Sequence, residues 1–216
     1  MPIYQLLILV SFIASLICIS SKNNRIPPLI FFPFFLLLSL LVEYYGGKLS
    51  NRNINTTGLY NFFTCFEFMF YIIFFMYLFP GANTKKKMIL VMLLYFIITV
   101  LNIFFFQGRK VFHTYTYMLG CLIVVVLAIL YFYYLLRFPE TGTLTRNPYF
   151  WIVAGLMFFY TCTFTLFGLN NFIANTIRQY TENLFIIQDI LNILLYTSFT
   201  IGFLCKINIR KLSELS

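Results

Sequence analysis

Three carboxylates carry the most distinctive chemistry in this sequence, because each lies inside a long run of apolar and aromatic residues. They are Glu43, Glu67 and Asp189, and the same runs contain no Lys or Arg to neutralise them. A charged side chain at the centre of a bilayer costs about 2.5–3.5 kcal/mol on membrane-insertion scales. Embedded carboxyls of this kind are typical of ligand, proton or ion sites, so we treat the three as candidates for one site.

The elements that position these carboxylates must be membrane helices. Of the 216 residues, 61% are hydrophobic and only 10% are charged, whereas a soluble domain carries about 25% charged residues. The composition therefore predicts an integral protein of the lipid bilayer. The formal net charge of +9 comes from Lys and Arg in the short connections between apolar runs, so we expect headgroup contacts and no nucleic-acid partner.

The apolar runs predict an all-α, polytopic bundle of seven transmembrane helices, since a span needs about 20 apolar residues. The first run has no basic segment before it and no small-residue cleavage site, which favours a retained helix over a cleaved signal peptide. We expect residues 1–206 to form the transmembrane domain and residues 207–216 a short basic cytoplasmic tail. The predicted spans are residues 3–20, 28–45, 59–79, 88–106, 114–136, 149–169 and 183–205.

The distribution of Lys and Arg predicts the orientation. With the amino terminus outside the cell, ten of the 15 basic residues fall in inside connections and five in outside ones. Cytoplasmic connections are enriched in Lys and Arg, so we expect the amino terminus outside, the carboxyl terminus in the cytoplasm and, for a bacterial protein, a location in the inner membrane.

Polar residues recur at helical spacing in several spans. In the third, Tyr60, Thr64, Glu67 and Tyr71 follow at intervals of four, three and four residues, which places them on one helix face. Lipid penalises such stripes, so we expect them to face the bundle interior, in its outer half. Further stripes are Ser39 and Glu43; Tyr95, Thr99 and Asn102; Thr161 and Thr165; and Asp189, Asn192, Tyr196 and Thr200.

The candidate site for a ligand or a proton is assembled from these stripes. An alternative is that the same groups only bond helices to one another, as polar side chains often do in membranes. No metal or other cofactor is expected, because the chain has a single His and no metal-ligand spacing. The candidate residues are Glu67, Asp189, Glu43, Asn61, Asn102, Asn192, Tyr60, Thr64, Tyr71, Tyr196 and His113.

Several strings resemble a group of uncharacterised seven-helix bacterial membrane proteins of similar length. They are Asn147-Pro-Tyr-Phe-Trp-Ile-Val-Ala-Gly155, Leu191-Asn-Ile-Leu-Leu-Tyr196, Ile201-Gly-Phe-Leu-Cys205, and the region of Glu43 and Leu59-Tyr-Asn61. The layout is also distantly similar to the seven-helix input modules of bacterial histidine kinases, but no kinase domain follows Lys211. The resemblance implies a fold and a bacterial origin, and no activity.

The hypothesis that fits these observations is a membrane sensor or ligand-binding subunit that acts through a membrane or cytoplasmic protein partner. With no embedded Lys or Arg, the carboxyls must be protonated or recruit a cation, so we expect a small cationic or amphiphilic ligand. One alternative is a small proton- or cation-coupled transporter or channel subunit, with the same acids as relays. A second is an intramembrane hydrolase in which Glu67 and Asp189 form an acid–base pair.

Overall fold

The structure is a computed structural model that describes the backbone of residues 3–20, 27–108, 111–138, 144–173 and 181–214, and the side chains of residues 3–20, 28–108, 111–138, 144–168 and 186–205. Within these ranges the chain is helical, with no strand. The α-helices are α1 (Ile3–Ile19), α2 (Pro27–Ile30), α3 (Phe32–Ser50), α4 (Thr57–Leu78), α5 (Ala82–Leu101), α6 (Thr114–Arg137), α7 (Pro148–Ile173) and α8 (Thr181–Glu214).

Six helical segments among the described residues are long and apolar enough to cross a bilayer. This confirms a polytopic helical membrane protein. The predicted count of seven is not confirmed, because α1 has only 17 residues and rises about 25 Å, at the lower limit for a span. Helix α8 also continues through residues 207–214, which the sequence analysis treated as a separate tail. The spanning segments are Pro28–Ser50, Thr57–Leu78, Ala82–Phe106, Thr114–Arg137, Pro148–Gly168 and Ile186–Cys205.

Six helices form a closed ring, and α5 lies outside it. Around the ring each helix contacts the next in the order α3, α1, α8, α7, α6 and α4, with α4 returning to α3. Helix α5 contacts α4 and α6, and its span buries a smaller share of its residues than the other five. It ends in a short π-helix, Asn102–Phe106. The inward faces of the ring helices therefore share one central core.

Contacts between helix ends define two ends of this bundle. At the upper end, α1 begins beside the end of α3, where Tyr4 bonds Glu43, and α4 begins beside the same part of α3, where Tyr60 lies against Gly46. At the lower end, α8 approaches the start of α7, since a Cβ at Gly202 would lie 2.9 Å from the Pro148 carbonyl oxygen. The upper end corresponds to the end that the basic residues predict to be outside.

Phenylalanine rings fill the core of the lower half. Phe32, at the start of α3, is fully buried, and its ring centre lies 5.2 Å from that of Phe70 and 5.3 Å from that of Phe74 on α4. It also lies 5.5 Å from each of Phe199 and Phe203 on α8. Edge-to-face contacts of this kind are favourable for aromatic pairs. This group of rings, the phenylalanine layer, fills much of the core of the lower half.

Candidate functional site

Glu67 lies near the midpoint of the 22-residue helix α4 and faces a cluster of buried tyrosines. Each of these tyrosines is close enough to interact electrostatically with the Glu67 carboxyl, and each comes from a different helix. We call them the tyrosine cluster: Tyr71 on α4, Tyr95 on α5, Tyr117 on α6, Tyr160 on α7 and Tyr196 on α8.

Aromatic packing fixes the positions of these hydroxyl groups. The Phe68 ring, next to Glu67 in the chain, lies 5.8 Å from the ring of Tyr95, 5.5 Å from that of Tyr117 and 5.4 Å from that of Tyr160. The Tyr71 and Tyr160 rings lie 5.6 Å apart, edge to face. Interlocked rings leave little rotamer freedom, so the cluster presents its hydroxyls to Glu67 from fixed directions.

Two hydroxyls on the inner face of α7 have no hydrogen-bond partner. Tyr160 is fully buried and faces Glu67 and Tyr71, but its hydroxyl meets hydrogen-bond geometry with neither. Thr163, one turn further along α7, is also fully buried with its hydroxyl unpaired. Buried polar atoms are normally paired with protein, water or a ligand. Tyr160 therefore places a buried, unpaired hydroxyl within electrostatic range of Glu67.

Glu43 forms a second acidic position nearer the upper end. The Tyr4 hydroxyl donates a hydrogen bond of 2.9 Å to its Oε2, and the Gln5 side-chain amide lies 3.5 Å from its backbone carbonyl. Tyr60 lies within electrostatic range of the same carboxyl. Its hydroxyl packs against the α-carbon of Gly46, where any Cβ would overlap it. Helices α1, α3 and α4 thus meet around this carboxyl.

Glu43 and Glu67 form the acidic pair of the bundle. Glu43 is within electrostatic range of Glu67, and both residues remain partly accessible to a water-sized sphere. Every Lys and Arg side chain that the structure describes is exposed, and none is a neighbour of Glu67.

Asp189 does not join this pair. The sequence analysis expected it to face the interior at the level of Glu67, but it is exposed on the outer surface of α8 near the upper end. Its acidic neighbour is Glu43 and not Glu67. The stripe of Asp189, Asn192, Tyr196 and Thr200 lies beside the buried face of α8, which is formed by residues such as Leu191, Leu195 and Phe199. Its helical spacing was therefore compatible with an exposed Asp189. Tyr196 is buried at the cluster and Asn192 is partly buried.

Thr161 and Thr165 also lie on an exposed face, contrary to the expectation that they point inward. The Thr165 hydroxyl bonds the carbonyl of Thr161 at 3.0 Å. A threonine that bonds a carbonyl of its own helix satisfies its hydroxyl without a partner helix, so it is tolerated on a lipid-facing surface. The inward face of α7 is formed instead by neighbouring residues, including Tyr160 and Thr163.

Asn61 and His113 are held together as a structural unit. The Asn61 side chain accepts a hydrogen bond of 2.9 Å from the His113 backbone and donates one of 3.0 Å to the Val111 carbonyl. The His113 Nε2 lies 2.8 Å from the Gly108 carbonyl oxygen. Both side chains are buried. They tie the connection before α6 to the start of α4, which is the bonding role that the sequence analysis left open as an alternative.

The remaining candidates lie apart from the Glu67 carboxyl. The Asn102 amide donates to the Gln107 side chain at 2.8 Å, across the π-helix that ends the α5 segment. The Thr64 hydroxyl donates to the Asn61 carbonyl at 3.2 Å, one turn above Glu67 on α4. Asn61 also borders, with Thr99 and His113, a mostly apolar groove of about 510 Å³ between α4 and α5.

The arrangement supports binding and proton exchange. A carboxyl group and phenolic hydroxyls can accept and donate protons, and aromatic faces attract cations. In the described part of the chain, no three His, Cys, Asp or Glu residues approach closely enough to hold a metal ion. The nucleophile–base pair of a serine or cysteine hydrolase would need an adjacent base, and the single His is occupied at the loop before α6.

The sequence analysis missed Tyr160 and Thr163. Val153, Leu156, Tyr160 and Thr163 follow at intervals of three, four and three residues and form the buried face of α7. The helical period could have found this face. The two exposed threonines obey the same period, however, and only the packing of α7 against α6 and α8 decides between the two faces.

No protein-family model, curated protein or solved structure matches this chain. The likeness to seven-helix bacterial membrane proteins therefore stays a prediction. What the fold establishes is a multi-pass helical membrane protein with one carboxyl enclosed by tyrosines in its core.

Proposed function

We propose that this protein is a membrane ligand-binding subunit that holds a small cationic ligand at Glu67 and signals its occupancy to a partner protein. The observation that carries the proposal is the enclosure of the Glu67 carboxyl by the tyrosine cluster, with the Tyr160 hydroxyl buried and unpaired beside it. The ligand class comprises a proton, a monovalent metal cation or a protonated amine.

Charge balance favours a cation over a neutral or anionic ligand. An ionised carboxylate in the core of a membrane protein needs a proton or a counter-charge, and removing the partner of a buried charge costs about 3–5 kcal/mol. No described Lys or Arg supplies that charge. The tyrosine rings add a favourable environment for a cation, through their faces, and for a proton, through their hydroxyls.

The phenylalanine layer favours binding over transport. Below the tyrosine cluster the core consists of fully or almost fully buried rings such as Phe32, Phe74 and Phe199. A conduction pathway would need polar groups along its whole length. We therefore propose a site that opens towards the upper end only. The Lys and Arg distribution supports an upper end outside the cell and a carboxyl terminus in the cytoplasm, where a partner could read the occupancy.

Thermal unfolding of the purified protein in detergent tests the proposal. Protons, by lowering the pH, and monovalent metal cations and small protonated amines, at constant ionic strength, are titrated into wild type, Glu67→Gln and Asp189→Asn. We expect stabilisation by at least one cation in wild type and in Asp189→Asn, reaching about 2.7 kcal/mol at 100 times its Kd, and none in Glu67→Gln. Asp189→Asn is the matched control, because it removes the same charge from an exposed position.

Two outcomes would overturn the proposal in different ways. Equal stabilisation of wild type and Glu67→Gln would place the ligand elsewhere. Cation flux in liposomes that disappears in Glu67→Gln would assign the same carboxyl to a transporter. The hydrolase alternative makes its own prediction, which is turnover of a lipid substrate that both Glu67→Gln and Asp189→Asn abolish; the exposed position of Asp189 argues against it.

A further inference from the structure

Glu43 and Glu67 lie at two depths below the upper end. Glu43 is seven residues before the end of α3, about 10 Å along the helix axis, and Glu67 is ten residues after the start of α4, about 15 Å. Glu43 is therefore nearer the water at that end. The two carboxyls interact electrostatically, so a change in the charge of one changes the electrostatic potential at the other.

Residues that carry hydroxyl groups lie near each of the two carboxyls. Tyr60 lies within electrostatic range of Glu43, and Tyr60, Thr64 and Glu67 share one face of α4. From α7, the unpaired hydroxyls of Thr163 and Tyr160 are one turn apart, and Tyr160 faces Glu67. A hydroxyl can donate one proton while accepting another, which Lys and Arg side chains cannot do.

We propose that the cation bound at Glu67 is a proton that enters the bundle through Glu43. This inference rests on the proposed function, since Glu67 is the binding site in both. A proton from the water binds a carboxylate oxygen of Glu43. The O–H bond of Glu43 then breaks as its proton passes to a hydroxyl or a bridging water, and a proton from the other end of that chain forms the O–H bond at Glu67. Glu43 is again ionised, and one proton has moved inward.

The groups that face Glu67 fit a proton better than a metal ion. They are Glu43 from α3, Tyr71 from α4 itself, Tyr95 from α5, Tyr117 and Cys121 from α6, Tyr160 from α7 and Tyr196 from α8. Among these groups only Glu43 carries carboxyl oxygens, which with Glu67 makes two carboxyls, whereas Ca²⁺ and Mg²⁺ take six or more oxygen ligands. Among these facing groups there is no Lys, Arg or His to compete for the proton.

Below Glu67 the phenylalanine layer offers the proton no onward path. Phe74 and Phe75 follow Tyr71 on α4 and are buried, and their rings offer no group that exchanges protons. A proton that reaches Glu67 can leave only by the way it entered. The bundle would therefore report the proton concentration on the upper side and would not dissipate a gradient.

Infrared difference spectroscopy after a rapid drop in pH tests the inference. The carbonyl band of a protonated carboxyl is followed in time, in light and heavy water, for monodisperse wild type, Glu67→Gln, Glu43→Gln, Tyr4→Phe and Asp189→Asn. We expect Glu67→Gln to lose a band that is slow to appear in wild type. In Glu43→Gln the Glu67 band should reach the same final amplitude at least tenfold more slowly. Asp189→Asn should leave the final amplitude of the Glu67 band unchanged; its rate is not a control, because Asp189 is an acidic neighbour of Glu43.

The separation of rate from amplitude makes the test specific. A residue that only supports the fold would change both, or neither. If Glu43→Gln unfolds, Tyr4→Phe replaces it: it keeps the carboxyl, removes its hydrogen-bond donor and should alter the rate alone. An unchanged rate in these variants would overturn the relay through Glu43.

The same experiment separates the failure of this inference from that of the proposed function. One outcome is that no band is assigned to Glu67 at any pH, while a metal cation or an amine still stabilises wild type and not Glu67→Gln. In that case the ligand is not a proton, and the proposed binding site at Glu67 is supported. If neither the carbonyl band nor the stabilisation by a cation depends on Glu67, both proposals are refuted.

Discussion

The upper and lower halves of this bundle are built from the same helices with two different aromatic residues. Around Glu67 the core contains five buried tyrosines, and below them phenylalanines predominate, although Tyr131 is also buried there. The two residues fill space in nearly the same way, but only tyrosine carries a group that can exchange a proton or bond a ligand. The difference separates a half that can bind from a half that can only pack.

The two halves also differ in what holds them together. Polar contacts join helices at the upper end, as between Tyr4 and Glu43 or between Asn61 and the loop before α6. Ring contacts join them at the lower end, where Phe35 stacks on Phe70 at 4.3 Å. Lipid removes the hydrophobic driving force between helices, so the lower half depends mainly on the closeness of packing, together with the polar contact between Ser11 and Thr200 next to Phe199.

The largest effect should come from removing a ring at the centre of the phenylalanine layer. The change Phe32→Ala deletes contacts to four rings on two other helices. In a membrane the transfer of the ring between lipid and the core contributes little free energy, so the loss comes from the packing contacts around the cavity. We expect a decrease of about 2–3 kcal/mol in the free energy of unfolding. Equilibrium unfolding in detergent–lipid micelles measures it. Phe34→Ala is the control, because Phe34 lies on the same helix and is 66% exposed; an equal loss in both variants would contradict a packed lower half.

The second effect concerns the close packing that positions the tyrosine cluster. A Cβ at Gly120 on α6 would overlap the Phe68 ring, which contacts three tyrosines of the cluster. We expect Gly120→Ala to decrease the free energy of unfolding by about 1–3 kcal/mol, because overpacking forces side chains from their rotamers. In Gly47→Ala nothing lies within 4 Å of the new methyl group, so this control should be neutral or slightly stabilised. Similar values for both would mean that Phe68 can move freely.

The helical period predicted most of the fold and only part of the site. Apolar runs located the spans because their length and composition depend on the bilayer alone. The stripe through Tyr60, Thr64, Glu67 and Tyr71 was expected to face inward; Tyr71 is buried, and the other three residues are partly buried.

The sequence could not fix which helix faces meet. Asp189, Thr161 and Thr165 obey the same period as buried residues, yet all three are exposed. The choice of face depends on neighbours far away in the chain, such as the contact of α7 with α8 through Gly155 and Ser198. Glu43 was placed correctly near one end, but its bond to Tyr4 joins residues 39 positions apart and has no local signal.

A smaller effect should follow from breaking that bond. The change Tyr4→Phe removes the donor of the 2.9 Å hydrogen bond to Glu43, and we expect a loss of about 1 kcal/mol in the free energy of unfolding. Tyr44→Phe is the matched control on the neighbouring helix α3, since Tyr44 is exposed and its hydroxyl should be hydrated. Unfolding in detergent compares the two. If both variants equal wild type, the Tyr4 bond is not a stabilising contact of the upper half.

The smallest effect is also the one that distinguishes the upper half most sharply from an ordinary packed core. The hydroxyl of Thr163 is buried without a partner, whereas that of Thr200 donates to the Tyr196 carbonyl and lies 2.8 Å from Ser11 Oγ. Replacing each by valine keeps the side-chain shape and removes the hydroxyl. Because the Thr163 hydroxyl is unpaired, Thr163→Val removes an unsatisfied group and should raise the free energy of unfolding by up to about 1 kcal/mol. Thr200→Val removes a bonded hydroxyl and should lower the free energy of unfolding by a similar amount. If Thr163→Val instead lowers it, the hydroxyl is bonded in the working protein to a water or ligand next to Tyr160. That reversal would indicate that a water or a ligand bonds the Thr163 hydroxyl on α7. Unfolding both variants in matched detergent and lipid determines the sign of the change in the free energy of unfolding.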